Sequence, residues 1–101
     1  MPTVLSNAQK RYLRGLAHAL KPVLLVGAKG VTPAVLAELG EVLEQHELVK
    51  VKVAAEDREA RDAAIEALVT GVDAALVGRI GHVAILYRRR LDTPLVILPR
   101  G

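Results

Sequence analysis

The segment VGAKGVTP, residues 26–33, joins an apolar run to the start of a predicted helix. Thr32 is a favoured helix N-cap and Pro33 a favoured first helical residue, so a helix begins at this point. The preceding run, residues 23–26, is continuously apolar, which is typical of a strand covered on both faces. These eight residues therefore predict a strand, a glycine-containing loop and a helix, the beginning of an α/β domain.

Further elements follow from caps, periodicity and turns. Ser6 and Gln9 form a capping box for a first helix, and Gly71 indicates the end of the third. The predicted order is helix (6 to about 19), strand (23–26), helix (32 to about 46), strand (47–54), helix (56–71), strand (74–80) and strand (83–87). Residues 95–98 are a candidate edge strand between two prolines. The chain of 101 residues is predicted to form one compact domain, residues 1–101, with αβαβαββ order.

Helical spacing predicts which side chains are buried. The first helix places its core residues on one side (Leu13, Leu16, Ala17 and Leu20) and an unbalanced basic stripe on the other (Lys10, Arg11, Arg14 and His18). The second helix is expected to bury His46 at its end, and the third to bury an alanine-rich face (Ala60, Ala63, Ala64, Ala67 and Leu68). On the strand after the second helix, Lys50 and Lys52 alternate with valines, so they point to an open face.

Charge is divided along the chain. Residues 38–73 hold ten acidic and four basic side chains, a balance of −6, whereas the remainder holds ten basic side chains and one acidic, a balance of +9. This division predicts a basic surface that suits a polyanion. Only two aromatic residues occur, both tyrosine, which favours phosphate contact over base stacking. The absence of cysteine excludes disulfides, and no apolar run could span a bilayer, so a cytoplasmic protein is expected.

Gly27, Ala28, Lys29 and Gly30 have the form GxxG. Glycines allow a ligand to approach the backbone, and the start of the following helix offers unpaired N–H groups and a partial positive charge. Together with the Lys29 ammonium, these features predict an anion site for a nucleic-acid phosphate. Strand-to-helix turns often contain glycine for structural reasons alone, so that alternative stays open. The segment fits neither a Walker loop nor a dinucleotide fingerprint.

An enzyme is not predicted. The three histidines, His18, His46 and His82, have no metal-ligand spacing, and the one serine is the predicted cap of the first helix. The carboxylates at the start of the third helix have an ordinary explanation in the helix dipole. Neither a metal nor a cofactor is expected.

Three stretches resemble the CRM domain in its small stand-alone bacterial form, the YhbY type: LSNAQKRYLRGLAHALKPVLLVGAKGVTPAVLAEL (5–39), HELVKVKV (46–53) and IGHVAILYRR (80–89). The resemblance implies a mixed four-stranded sheet with three helices, similar to KH domains and to the C-terminal domain of a translation initiation factor. It also implies RNA binding by the GxxG loop and association with precursors of the large ribosomal subunit.

The predicted RNA-binding residues combine the loop of the family with a basic surface inferred from charge and spacing. They are Gly27, Ala28, Lys29, Gly30, Thr32, Lys10, Arg11, Arg14, Lys21, Lys50, Lys52, Arg88, Arg89 and Arg90. The leading hypothesis is a monomeric, non-catalytic protein that binds ribosomal RNA and assists large-subunit assembly. The alternatives are a protein-interaction module that docks through its acidic helices, and a protein that binds a small anionic metabolite at the same loop.

Overall fold

The computed structural model describes residues 4–27, 29–90, 96 and 98. The elements are α1 (Asn7–Ala17), β1 (Pro22–Val26), α2 (Pro33–His46), β2 (Leu48–Val53), α3 (Arg58–Val72), β3 (Ala75–Ile80) and β4 (Val83–Tyr87). The predicted order and the single α/β domain are confirmed. The candidate edge strand at 95–98 lies largely outside the described residues, although Val96 and Leu98 pack against the core.

The four strands form one mixed sheet in the order β1-β2-β4-β3. β1 is parallel to β2, as expected for strands joined by a helix, while β4 is antiparallel to both of its neighbours. The turn between β3 and β4 uses Gly81 at φ 57°. β1, β2 and β3 all end on the same side of the sheet. We call that side the "loop end", because the 27–30 loop and the β3–β4 turn both lie there.

Helices cover the sheet from both sides, and each side has its own core. On one side, which we call the α1 face, Leu13 and Ala17 of α1 pack against strand residues at the end opposite the loop (Leu48, Ala75, Val77, Ile85 and Tyr87). On the other side, the α2–α3 face, Leu39, Leu43, Ile65 and Leu68 pack against the valines of β2 and against Ala84 and Leu86. The cap residues predicted for α1 and α2 are confirmed by the hydrogen bonds from Gln9 N to Ser6 Oγ and from Val35 N to Thr32 Oγ1.

Several predictions of burial are wrong. One reason is that α1 covers only part of the sheet face on which it packs. Leu16 and Leu20 remain about two-fifths exposed, at 40% and 38%, rather than lying in the core. β1 is an edge strand covered on one face only, so Val23 and Leu25 are exposed. His46 is also exposed, because it lies at the end of α2 beyond the part that packs on the sheet.

The third helix differs from its prediction in both packing and length. It buries Ile65, Leu68 and Val72, whereas most of the predicted alanine face is exposed. It continues past Gly71 and is capped by Asp73 in the left-handed conformation, so Gly71 does not end the helix. Gly71 instead allows α2 to approach, because a Cβ at this position would lie 2.6 Å from Cδ2 of Leu36.

Two charged side chains stabilise the end of the sheet that lies opposite the loop. Arg88 donates from Nη1 to the Val72 carbonyl at 2.9 Å and from Nη2 to the Gly40 carbonyl at 3.0 Å, so it ties α3 to α2. Glu47 is fully buried, and its carboxylate accepts from the amides of Arg90 at 2.7 Å and Val96 at 2.6 Å. Both side chains therefore serve the fold.

Replacing Arg88 with methionine should lower the free energy of unfolding by about 2 kcal/mol, because two charge-assisted hydrogen bonds to carbonyls are lost. Arg89→Met is the matched control, since the Arg89 side chain is exposed, and it should change stability by no more than about 0.5 kcal/mol. Chemical denaturation measures both variants. Equal losses in the two variants would contradict the structural role of Arg88.

A pair of glycine substitutions tests the close contact between α2 and α3. Gly40→Ala should stabilise the protein by about 0.5–1 kcal/mol, because alanine favours a helix interior and the new Cβ meets no atom within 4 Å. Gly71→Ala should gain clearly less or destabilise, because the new Cβ displaces Leu36. Equal increases in the free energy of unfolding, measured by thermal or chemical denaturation, would show that the packing of Leu36 does not depend on a glycine at position 71.

Candidate nucleic-acid interface

The half of the α1 face nearest the loop end is not covered by a helix. α1 has 11 residues, and a helix is about 10 Å wide, whereas strands of five or six residues are about 17–20 Å long. A helix packed over one end of such strands leaves the other half bare. We call this surface the open half-face; its residues are Val23, Leu25, Lys50, Lys52, Ile80 and Val83.

One row of side chains crosses this surface from edge to edge. Leu25 of β1 is in register with Lys52 of β2, Lys52 with Val83 of β4, and Val83 with Ile80 of β3. Leu25 and Ile80, at the two edges, are 59% and 58% exposed, Lys52 is exposed and Val83 is half-buried. The row therefore presents a cation between aliphatic side chains to the solvent.

The border between α1 and the open half-face is cationic. Arg14 extends its side chain over Gly78, where a Cβ would lie only 3.1 Å from Arg14 Cδ. Lys50 donates from Nζ to the Leu20 carbonyl at 3.1 Å, which ties β2 to the segment after α1. An ammonium has three donors, so Lys50 keeps the capacity to bind an anion while it performs this structural role.

The GxxG loop adjoins the open half-face because it follows β1, two residues after Leu25. It is closed by a hydrogen bond from Gly30 N to Gly27 O at 3.0 Å, and Gly30 has a φ of 74°. Lys29 is exposed, whereas Ala28 lies outside the described residues. A Cβ at Gly27 or Gly30 would meet no atom within 4 Å, so the space beside both glycines is free for another molecule.

The backbone of the loop offers less to an anion than the sequence predicts. The Gly30 amide already donates to Gly27, and the Thr32 hydroxyl accepts from Val35 N at 3.2 Å. On one side of the loop, Glu56 and Asp57 line a hollow of about 280 Å³ together with both glycines. A polyanion would therefore approach the loop from the open half-face, where the neighbouring charges are positive.

The structure brings together only part of the predicted site. Lys50 and Lys52 lie on the open half-face, Arg14 lies at its border, and Lys29 lies in the loop beside it. Lys10 lies farther out, beside Val69 and Ala74 next to the β3 edge. Arg11 and Lys21 are exposed, on α1 and before β1 respectively.

The grouping of Arg88, Arg89 and Arg90 with the loop is wrong as a statement of geometry. These residues follow β4 at the end opposite the loop, six residues after His82, which corresponds to about 20 Å along a strand. The Arg88 guanidinium binds two carbonyls within the fold. RNA contact by Arg89 and Arg90 stays a prediction, but as part of a separate surface.

Negative charge is concentrated on the other side of the sheet. The exposed carboxylates of α2 and α3 are Glu38, Glu41, Glu44, Glu59, Asp62 and Glu66. Arg79 of β3 points to this side and pairs with Asp62. Charge therefore differs between the two faces of the sheet, but this difference does not follow the division along the chain. Lys50 and Lys52 come from the acidic segment, whereas Arg79 of the basic remainder pairs on the acidic side.

Sequence reasoning missed two kinds of residue. The exposure of Leu25 was not predicted, because an apolar run looks the same whether one or both faces of the strand are covered. The exposure of Ile80 was not predicted, because a single apolar residue at the end of a strand does not show whether a helix covers it. The buried Glu47 gave no signal, because acidic residues are normally exposed and its partners are 43 and 49 residues away.

The described part of the chain contains no group of three histidine or carboxylate side chains that could hold a metal ion. Within the same residues, no helix is both long and apolar enough to cross a membrane.

Comparison with known proteins agrees with this architecture. A sequence model of the CRS1 / YhbY (CRM) domain matches residues 5–88. A Haemophilus influenzae protein named "RNA-binding protein" is 51% identical over 86 residues, which cover 85% of this chain and 87% of that protein. The Bacillus subtilis protein named "Probable RNA-binding protein YqeI" is 38% identical over 96 residues, covering 95% of this chain and 100% of that protein.

A solved structure has the same fold. The solution structure of a hypothetical protein from Staphylococcus aureus superposes with a TM-score of 0.82 at 31% identity, covering 95% of this chain and 100% of the other. The resemblance found in the sequence is thereby confirmed, and the chain belongs to the CRS1/YhbY (CRM) domain family.

Proposed function

We propose that this protein binds RNA, without catalysing a reaction, through the open half-face and the adjoining GxxG loop. The observation that carries this proposal is the separation of charge: Lys50, Lys52 and Arg14 lie on one side of the sheet and the exposed carboxylates of α2 and α3 on the other. Such a surface attracts a polyanion and orients it. The names of the Haemophilus and Bacillus relatives support RNA as that polyanion.

The contacts divide into two kinds. Arg14, Lys29, Lys50 and Lys52 would neutralise phosphates, which supplies affinity without reading sequence. Gly27 would let the sugar–phosphate backbone lie against the main chain, since no side chain fills the space beside it. The loop therefore positions the RNA, and the cations hold it on the open half-face.

The biological target that we propose is ribosomal RNA in precursors of the large ribosomal subunit, in the cytoplasm, with the protein acting as a monomer. The family resemblance implies RNA binding and association with precursors of the large ribosomal subunit. Crosslinking in cell lysate, followed by mapping of the RNA and the crosslinked peptides, tests the target. Crosslinks to other RNA classes alone would reject the ribosomal assignment.

A second candidate is favoured by the exposed carboxylates of the α2–α3 face, which could dock on a basic ribosomal or assembly protein. Reversing Glu38 and Glu41 to lysine separates the two functions. RNA affinity should be retained or slightly raised, because these residues lie on the other side of the sheet, while a protein partner would be lost.

RNA affinity should depend strongly on salt. If about four phosphates are neutralised, log K should fall against log salt with a slope of about −3 to −4. Fluorescence anisotropy at several salt concentrations measures the slope. A slope near zero would reject phosphate contact as the source of affinity.

Reversing one exposed cation should locate the surface. Lys52→Glu should weaken RNA binding about tenfold or more, because it replaces a phosphate partner with a repelling charge at the centre of the open half-face. Arg89→Glu is the matched control. Because Arg89 belongs to a separate surface at the opposite end of the sheet, this variant should reduce affinity for an RNA short enough to cover only the open half-face by less than about threefold. Similar losses in both variants would place the binding surface elsewhere.

Gly27→Asp tests close approach to the loop without disturbing the fold. Gly27 has no positive φ, and its Cβ would meet no atom within 4 Å, so the melting temperature should stay near that of the wild type. RNA affinity should fall about tenfold, because a carboxylate then occupies the path of a phosphate. Unfolding of this variant, or unchanged affinity, would assign the glycine a purely structural role.

A further inference from the structure

The open half-face carries a feature that phosphate binding does not use. Leu25 and Ile80 expose more than half of their side chains, and Val23 is 45% exposed. Phosphates are held by cations and backbone amides, so a surface for the RNA backbone alone gains nothing from large aliphatic side chains. Leu25 and Ile80 lie in one row with Lys52, between the loop and the α1 border.

We propose that this row is a platform for unpaired nucleobases, so that the ligand of the open half-face is single-stranded or looped-out RNA rather than regular duplex. This inference rests on the proposed function and specifies its substrate class. Bases would pack their apolar faces on Leu25, Val83 and Ile80, while their phosphates reach Lys52, Lys50 and Arg14.

The dimensions of the platform fit a short segment of RNA. Leu25 and Ile80 lie on the two edge strands, which are separated by three strand spacings, or about 14 Å. Four-stranded sheets that bind single-stranded RNA accommodate two or three bases across a comparable width. The platform would therefore hold two or three nucleotides, with the GxxG loop binding the backbone at one edge.

A duplex fits the same surface poorly. In A-form RNA the base faces are stacked inside the helix, and the exterior presents phosphates, 2′-hydroxyls and base edges. Placing that exterior on Leu25 and Ile80 would remove water from charged phosphates without giving them a partner. Unpaired bases instead bury their own apolar surface against these side chains.

The platform is aliphatic, which modifies the prediction made from composition. The scarcity of aromatic rings favoured phosphate contact over base stacking, but aliphatic side chains can also cover a base face by hydrophobic contact. Each base should gain less than it would on an aromatic ring, because ring stacking is lost. Introducing a ring at this place should therefore strengthen binding.

The first test compares two RNA probes by fluorescence anisotropy at fixed salt. One is a labelled, unstructured 12-mer (on the order of the footprint of a small single-strand-binding module), and the other is the same strand annealed to its complement. The wild type should bind the single strand about tenfold or more tightly than the duplex. Equal or tighter binding of the duplex would overturn the inference while leaving RNA binding itself intact.

The second test changes the platform without changing charge. Leu25→Ser combined with Ile80→Ser should weaken single-strand binding about tenfold and duplex binding by less than about twofold. Leu16→Ser is the matched control, because Leu16 is also exposed but lines a hollow with His46 and Val96 that includes neither Leu25 nor Ile80. Unchanged single-strand affinity in the double variant would overturn the inference.

A variant that should strengthen RNA binding tests the platform in a way that loss of folding could not imitate. Ile80→Tyr should raise single-strand affinity about threefold or more, since a ring stacks on a base better than an aliphatic side chain does. Weaker or unchanged binding would count against the platform. If the wild type binds neither RNA probe at low salt, the proposed function fails, and this inference fails with it.

Discussion

The arrangement of the whole protein depends on the limited reach of α1. The helix is anchored by Leu13 and Ala17 over one end of the sheet and by the hydrogen bond from Lys50 to the Leu20 carbonyl. A helix that is about 10 Å wide covers roughly half the length of these short strands. The uncovered half lies beside the GxxG loop, because the parallel connection through α2 requires β1 to finish at that end.

The two ends of the sheet differ in the side chains that they carry and in the contacts that these make. The end opposite the loop is held by buried polar contacts: Arg88 joins α2 to α3, and Glu47 binds the amides of Arg90 and Val96. Tyr87 lies in the same region, and burial, with a further contribution from the charge of Glu47, raises the pKa of its hydroxyl above the usual value. The loop end carries exposed cations and aliphatic side chains, which are groups that a ligand could use.

The sequence predicts the parts of this structure that depend on local signals. The caps at Ser6 and Thr32 locate two helix starts, and the alternation in β2 correctly places Lys50 and Lys52 on an open face. The continuous apolar run of β1 was misleading, since residue type does not reveal that the strand lies at an edge with one face bare. The position of Arg88 depends on carbonyls 16 and 48 residues away, and no local pattern reports such contacts.

The central claim is that RNA occupies the uncovered half of the α1 face, and methyl NMR tests it most directly. During titration with a short single-stranded RNA, the methyl signals of Leu25, Ile80, Val23 and Val83 should shift together, whereas those of Leu39 and Leu43 in the opposite core should stay in place. Shifts confined to residues near Arg88–Arg90 or to the α2–α3 face would contradict this account.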